Sequence, residues 1–486
     1  MFLRMIYDER LAQAAWLIGC QQTGEAIIID PERDVDRYLE VAAANELRIV
    51  AAAETHIHAD FLSGARELAE RVGATVYLSD EGDADWKYEW LDKKADGGTY
   101  PHKLLKDGDT FRIGGIHFRV VHTPGHTPEH IVFVVTDEGG GASEPIGAVT
   151  GDFLFVGDLG RPDLLESAAG KQGAMTPSAK QLYHSLARVG EFEDYVQVWP
   201  GHGAGSACGK ALGAVPTSTL GYERRFNEAL QHATSEEAFV EFILAGQPEP
   251  PLYFARMKRD NKLGPPLLGE LPQPAPLEAD ALAKLRKQYG EDKLAIVDTR
   301  PWEEFRTGHL AGALSLPLKK EFPTNAGSLI GAEEAIVLVA RPEDVEEAVR
   351  NLVRIGYDRI VGYLPAEALT QQAGFELPTS EFVDVAEAQR AIQAGEVHVL
   401  DVRRASEFAE GHIDTAANVA HTRLLSRLDE VPRDKPLLVV CRSGNRSARA
   451  ASLLQRRGYR ALNLEGGMLA WKAAQSGATS QATVGT

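Results

Sequence analysis

The chain is poor in three features, each of which would have dictated a class of protein. It has only three cysteines in 486 residues, Cys20, Cys208 and Cys441, too few and too widely spaced for a disulfide framework. Long apolar runs are missing: residues 335–340 and 436–441 fall far short of the roughly 18 residues that suggest a membrane span. There is no basic counterweight either, since 51 Lys and Arg face 70 Asp and Glu for a formal charge of −19, which argues against nucleic acid as a partner. The opening MFLRMIYDERLAQ carries Arg4, Asp8, Glu9 and Arg10 and no apolar signal core, so the expected location is cytoplasmic, off any membrane. What remains is ordinary for a folded chain, 44% hydrophobic and 25% charged, with length for about two to four domains.

Residues 261–280 (NKLGPPLLGELPQPAPLEAD) are rich in Pro and Gly without a helical or strand period, and read as a linker. A weaker break falls at residues 374–380, and the small polar tail from Ser476 is expected to fray. The expected organisation is a large block over residues 1–262, a linker over 263–280, smaller blocks over 281–375 and 381–475, and a flexible tail over 476–486. The two smaller blocks resemble each other. AIVDTRPWEEFRTGHLAGALSLPL in one matches VLDVRRASEFAEGHIDTAANV in the other, pairing Asp298 with Asp401, Glu304 with Glu407 and His309 with His412. Strand and helix alternate in both, so each is expected to be a small α/β unit with a mainly parallel sheet. In the large block, EAIIID, residues 47–54, 115–122, 131–136 and 195–199 read as strands and residues 34–45 as a helix, which points to stacked sheets flanked by helices.

The chemistry-bearing residues of the large block stand at strand ends. AAAETHIHADFLSG places His56, His58 and Asp60 beyond an apolar run, HTPGHTPEH sets His126 in a Gly/Pro-rich turn, TGD offers Asp152, and WPGHG offers His202. Imidazole and carboxylate are the common ligands of zinc and iron, and strand-end loops can aim them into one cleft. In this order the motifs resemble the metallo-β-lactamase superfamily, which implies an αββα sandwich and a metal site. Where two-metal hydrolases of that superfamily carry the last histidine of HxHxDH, this chain has Phe61, which has no donor atom. The reading is therefore a mononuclear site with His56, His126 and Asp152 as ligands. Two histidines and one carboxylate with open positions suit ferrous iron that binds O₂; zinc, which would suit hydrolysis, stays open as the alternative.

Within the superfamily, THIHADFLSG, PGHTP, TGDFLFVGDLGRPDL, SAKQLYHSL and WPGHGAGSACG resemble the persulfide dioxygenases. The resemblance implies His56, His126 and Asp152 as iron ligands, and His58, Asp60 and His202 as supporting groups or alternative ligands. It places Arg161, Asp163 and Tyr183 near the site, with Tyr183 equally readable as a core residue. Cys208, six residues after His202, could contact substrate or relay sulfur, or be a small buried hydrophobe. His122 and His130 read as structural, and Cys20 reads as core.

In the last block Cys441 follows the strand PLLVV and opens CRSGNRSARAASLLQRRG, a loop leading straight into a helix. Amides at a helix N-terminus, with Arg442 and Arg446, would stabilise an anionic sulfur there. This loop, with the neighbouring DVR, EFAEGHI and LEGGMLAW, resembles the rhodanese sulfurtransferases, which implies a persulfide carried on Cys441 within the loop Arg442, Ser443, Gly444, Asn445, Arg446 and Ser447. Four residues separate Cys441 from Arg446, one fewer than in related phosphatases, a spacing that fits sulfur better than phosphate. The middle block has Ala340 and an acidic RPEDVEEAV at that point, and reads as inactive in sulfur transfer. Fusions of a persulfide dioxygenase with rhodanese domains resemble the whole. That likeness implies one Fe²⁺ per chain, persulfides of glutathione, coenzyme A or bacillithiol type, O₂, sulfite and thiosulfate as reaction partners, and a role in sulfide detoxification. A homo-oligomer, dimer or tetramer, is a further expectation. The competing readings are a zinc thioester hydrolase of the glyoxalase II kind fused to a rhodanese, and a non-enzymatic sulfur carrier or sensor.

Overall fold

The computed structural model describes residues 1–168, 170–371 and 377–482. Two compact units divide it, one comprising Met1–Leu271 with Val353–Gly356, the other Pro272–Leu352 with the chain from Tyr357 on.

In the first unit, β1 (Phe2–Asp8), β2 (Gln13–Cys20), β3 (Glu25–Ile29), β4 (Arg48–Ala53), β5 (Thr75–Ser79) and β6 (His102–Leu105) form one sheet in chain order. A second sheet holds β7 (Thr110–Ile113), β8 (Ile116–His122), β9 (Ile131–Thr136), β10 (Gly147–Gly151), β11 (Gln197–Pro200) and β12 (Ser218–Thr219), in the order β12-β11-β10-β9-β8-β7. The period-2 alternation of strands assigns the faces. Trp16, Ile18 and Cys20 of β2 meet Phe118, Phe133 and Trp199 of the second sheet in one core between the sheets. The alternate residues Ala15 and Leu17 pack on Tyr38 and Leu68 of helices outside the first sheet. Val121, Val132 and Ala148 pack on Leu182 and Phe239 of helices outside the second. Both faces of β2 are therefore covered, which is why all eight of its residues are buried. The layers run helix, sheet, sheet, helix, as the sequence reading expects.

The second unit contains two parallel sheets. One has β13 (Leu294–Asp298), β14 (Ala313–Ser315), β15 (Ala335–Ala340) and β16 (Ile360–Pro365) in the order β14-β13-β15-β16. The other has β17 (Phe382–Val383), β18 (His398–Asp401), β19 (Ala417–Asn418), β20 (Leu437–Val440) and β21 (Ala461–Leu464) in the order β17-β21-β20-β18-β19. The internal likeness seen in the sequence is thus a repeat of architecture. Each copy keeps a buried Asp–Arg pair after its first long strand, Asp298 with Arg300 (2.7 Å) and Asp401 with Arg403 (2.6 Å).

The expected frayed tail needs correction: a helix spans Gly467–Ala482 and so runs through residues 476–482. Alanines at 473, 474, 478 and 482 supply helix propensity that outweighs the polar composition there. Of the weaker break, residues 374–376 lie outside the described residues. Among the described residues no helix is long and apolar enough to cross a membrane.

Candidate metal centre and cysteine loop

Four segments of the first unit meet at one buried point. The stretch after β4 carries His56, His58 and Asp60, the turn between β8 and β9 carries His126, Asp152 follows β10, and His202 follows β11. His56, His126 and Asp152 place ligand atoms within 4.8 Å of one another. Asp152 sits between two histidines, with Oδ2 3.5 Å from His126 Nε2 and Oδ1 3.5 Å from His202 Nε2.

The outer hydrogen bonds decide which nitrogen each ring offers. Thr55 Oγ1 donates to Asp30 Oδ2 (2.9 Å), which leaves it to accept from His56 Nδ1 (2.9 Å). His126 Nδ1 donates to the Arg161 carbonyl (3.0 Å) and His202 Nδ1 to the Ala12 carbonyl (3.1 Å). All three rings therefore turn Nε2 inward. His130 supports Asp152 rather than joining the ligands: its Nε2 accepts from the Asp152 amide (3.0 Å), and its Nδ1 bonds Thr123 Oγ1 (2.9 Å). Asp152 is also held by close approach. A Cβ on Gly160 would lie 1.8 Å from the Asp152 carbonyl oxygen, so only glycine fits there.

Burial, reinforced by the neighbouring imidazoles, holds His56 well below the ordinary histidine range, and burial lowers His126 to about 3. Burial likewise raises Asp152 and Asp60 to about 6. Both carboxylate oxygens of Asp152, Asp60 Oδ2 and His202 Nε2 are buried without a hydrogen-bond partner among the described residues. Each such atom costs about 1–3 kcal/mol, which a bound cation would offset. The donor set fits a metal ion. Since the ligand histidines are already neutral, the proton on Asp152 is the competitor. Metal occupancy is expected to fall as pH drops through about 6, measured by equilibrium dialysis with metal analysis at each pH.

The other sequence candidates are placed as follows. His58 turns its Nε2 to Asp30 Oδ1 (3.1 Å) and Glu54 Oε2 (3.0 Å); burial opposes its charge, but these carboxylates outweigh it and hold the ring above its usual range. Phe61 is buried with its ring 4.4 Å from that of His58. Asp60, His202 and Cys208 form a second trio of converging donor atoms, so the loss of a histidine at 61 does not strip the far side of Asp152 of ligands. Burial, with Asp60 and Asp152 nearby, pushes the Cys208 thiol well up. Arg161 pairs with Asp163 through two hydrogen bonds (2.9 and 2.7 Å) and donates to the carbonyls of Ala207 (2.9 Å) and Pro248 (2.6 Å). It braces the segments holding His126 and Cys208. Arg161→Ala would strand buried Asp163, with an expected loss of about 3–5 kcal/mol by denaturant unfolding. Tyr183 packs on Phe239 (5.7 Å between ring centres), as the core alternative has it. Cys20 lies in the core between the sheets. Asp30 and Glu54, which the sequence reading did not single out, act on the histidine loop from β-strand ends, and the only signal was their position closing apolar runs.

In the second unit, Cys441 is buried at the end of β20. The Gly444 amide donates to its Sγ (3.1 Å), and the Ser447 hydroxyl lies 3.3 Å from it. Gly444 takes φ +95°, a left-handed turn that aims this amide back at the sulfur and opens the helix Asn445–Arg456. Asn463 steadies the loop through Ser447 (2.5 Å) and the Gly444 carbonyl (3.2 Å). Arg446 makes a two-pronged pair with Glu407 (2.6 and 2.7 Å), which lowers the Glu407 carboxyl, while the Cys441 sulfur also acts on the guanidinium. Arg442, Ser443 and Asn445 are exposed. His421, which the sequence reading missed, is held near 3 by burial and by Arg446, Arg449 and Arg404. In the middle domain Ala340 ends β15, and Arg341 reaches Glu304 (2.6 Å). A Glu–Arg pair is thus present here too, but with the arginine directly after the strand, at the place of Arg442 rather than of Arg446.

A histidine–aspartate centre on an αββα sandwich defines a metallo-β-lactamase-type protein. The signature described as "Metallo-beta-lactamase superfamily" matches residues 8–202, and the one described as "Rhodanese-like domain" matches residues 281–365 and 384–474. The chain belongs to the metallo-β-lactamase superfamily and carries two rhodanese-like domains. It is similar to the crystal structure of a metallo-beta-lactamase from Staphylococcus aureus subsp. aureus COL, at 40% identity and TM-score 0.66, over 75% of this chain and 99% of that one. Its first domain is 28% identical to persulfide dioxygenase ETHE1, mitochondrial, of Bos taurus, over 38% of this chain and 61% of the relative. It is 32% identical to hydroxyacylglutathione hydrolase GloC of Haemophilus influenzae, over 28% of this chain and 65% of the relative. The chain thus spans under two thirds of these two curated relatives.

Proposed function

We propose that the chain is a non-heme iron persulfide dioxygenase coupled to a rhodanese sulfurtransferase. The observation that carries this is a two-histidine, one-carboxylate centre, His56, His126 and Asp152, on one chain with a cradled Cys441 thiol. The likeness to ETHE1 supports it. The net conversion takes a thiol persulfide, O₂ and water to the thiol, sulfite and two protons. Ferrous iron held by the three ligands would supply the electrons and the binding position for O₂. The protein residues do the rest: the carbonyls of Arg161 and Ala12 fix ring orientation, and burial keeps bulk water from the ligands.

At Cys441 a sulfane sulfur would be held as a persulfide. Sulfite attacks the outer sulfur, the S–S bond breaks, and its electron pair returns to the Cys441 thiolate as thiosulfate leaves. The Gly444 amide stabilises that thiolate, and the same atoms serve the reverse direction. Substrates of this reading are persulfides of glutathione, coenzyme A or bacillithiol. A cytoplasmic location keeps all three cysteines reduced, and a homo-oligomer belongs to the same proposal.

The second reading is a zinc thioester hydrolase, favoured by the Asp60, His202 and Cys208 trio and by the likeness to GloC. Metal analysis of anaerobically purified protein, with O₂ uptake on glutathione persulfide, separates them. Iron with O₂ consumption and sulfite is expected; zinc alone, with no O₂ uptake after iron reconstitution, would overturn the dioxygenase.

A further inference from the structure

Among the described residues around Cys441, one largely covered guanidinium has no side-chain partner. Arg446 is spent on Glu407, and Arg403 on Asp401. Arg449 lies three residues beyond Arg446 and so on the same side of the helix Asn445–Arg456; its guanidinium makes no hydrogen bond or ion pair with any described residue, although the side chain is mostly covered. A guanidinium left unpaired and partly dry is costly unless an anion visits it.

The cover comes from the domain that has no cysteine. Within the second unit, β14 lies along the helix Asn445–Arg456, and the Ser315 amide donates to Ser452 Oγ (3.0 Å). The helix Phe322–Leu329 packs against Leu424–Ser426. Residues 316–321 join these two contacts, which brings Glu321, the residue just before the second helix, toward Arg449.

We infer that Arg449 is the recognition residue for the sulfur oxyanion at Cys441, and that Glu321 of the cysteine-less domain is the carboxylate that competes with that oxyanion for it. This rests on the sulfurtransferase reading above. The charges around Arg449 agree with it: burial pulls the guanidinium below its usual range, Glu321 opposes this most, the Cys441 sulfur comes next, and Arg446 adds to the repulsion. Arg449 thus feels the charge of both a carboxylate and the Cys441 sulfur. An incoming sulfite offers oxygens in the planar, two-pronged manner a guanidinium accepts, while its sulfur lone pair faces the persulfide. Glu321 tunes how tightly the anion is held, which gives the first rhodanese-like domain a role without a thiol of its own.

The test uses the full chain and two readouts. The first is thiosulfate formation from the Cys441 persulfide and sulfite. Arg449→Gln is expected to raise the KM for sulfite about tenfold with kcat changed less, Arg449→Lys to recover part of it, and Glu321→Gln to lower KM. The second compares alkylation of Cys441 by iodoacetate and by neutral iodoacetamide, followed by mass spectrometry. Arg449→Gln should reduce the iodoacetate-to-iodoacetamide rate ratio about tenfold, and Glu321→Gln should raise it. An unchanged ratio in folded Arg449→Gln overturns the inference. A changed ratio with an unchanged sulfite KM overturns sulfite as the anion. Absence of thiosulfate formation in the parent chain sinks the sulfurtransferase reading, and the alkylation ratio still decides whether Arg449 receives an anion.

Discussion

Purified His126→Ala protein is expected to contain almost no bound metal and to lose O₂-dependent sulfite formation by about a hundredfold or more. The reason is the arrangement around that ring. Its Nδ1 is committed to the Arg161 carbonyl and its Nε2 faces Asp152 Oδ2, so no neighbouring group can take its place without breaking another bond. Alanine would also leave the Asp152 carboxylate, already raised to about 6 by burial, without a partner on that side. Metal analysis and O₂ uptake check the two halves separately. Metal retained at the parent level would remove His126 from the ligand set, whatever the activity.

Cys441→Ser should behave in the opposite way. Sulfite release and O₂ uptake are expected to stay within about twofold of the parent, while thiosulfate formation falls by about three orders of magnitude or more. Serine preserves volume and can keep the Gly444 contact, so the helix start should remain folded. It cannot form a persulfide, and its alkoxide is a poor leaving group compared with a thiolate. Measuring sulfite and thiosulfate in one reaction gives the answer. Undiminished thiosulfate would assign sulfur transfer to another residue, with Cys208 the next to examine.

Much of the architecture was readable because apolar periodicity survives in a linear sequence. EAIIID reads as a strand, and β3 covers Glu25–Ile29; the two rhodanese-like blocks announce themselves through paired Asp, Glu and Gly-His positions. The tail was misread because its polar composition suggested fraying, where the helix Gly467–Ala482 continues on alanine propensity. At the metal centre, strand-end histidines and aspartates could be grouped by motif, and His56, His126 and Asp152 do come together. Which way each side chain turns was not readable. His58 differs from His56 by two residues, yet it faces Asp30, brought in by β3, and Glu54, four residues earlier at the end of β4. The place of Arg446 in the loop points to the sulfur, but its two-pronged partner Glu407, 39 residues earlier, is not legible from spacing. Spacing limits where a side chain can reach, but the partner that holds it is fixed by tertiary contacts.

The space beside Asp152 has a consequence for how variants of this protein would be judged. Gly160 has no functional group, yet any side chain there would collide with the carbonyl of Asp152, a proposed metal ligand. A saturation library selected for activity should therefore deplete position 160 as severely as position 126. A clinical or evolutionary score that weighs only chemical groups would mistake that intolerance for a generic folding defect. Its origin is local: the glycine sets the seat of the carboxylate, so damage there would appear first as lost metal.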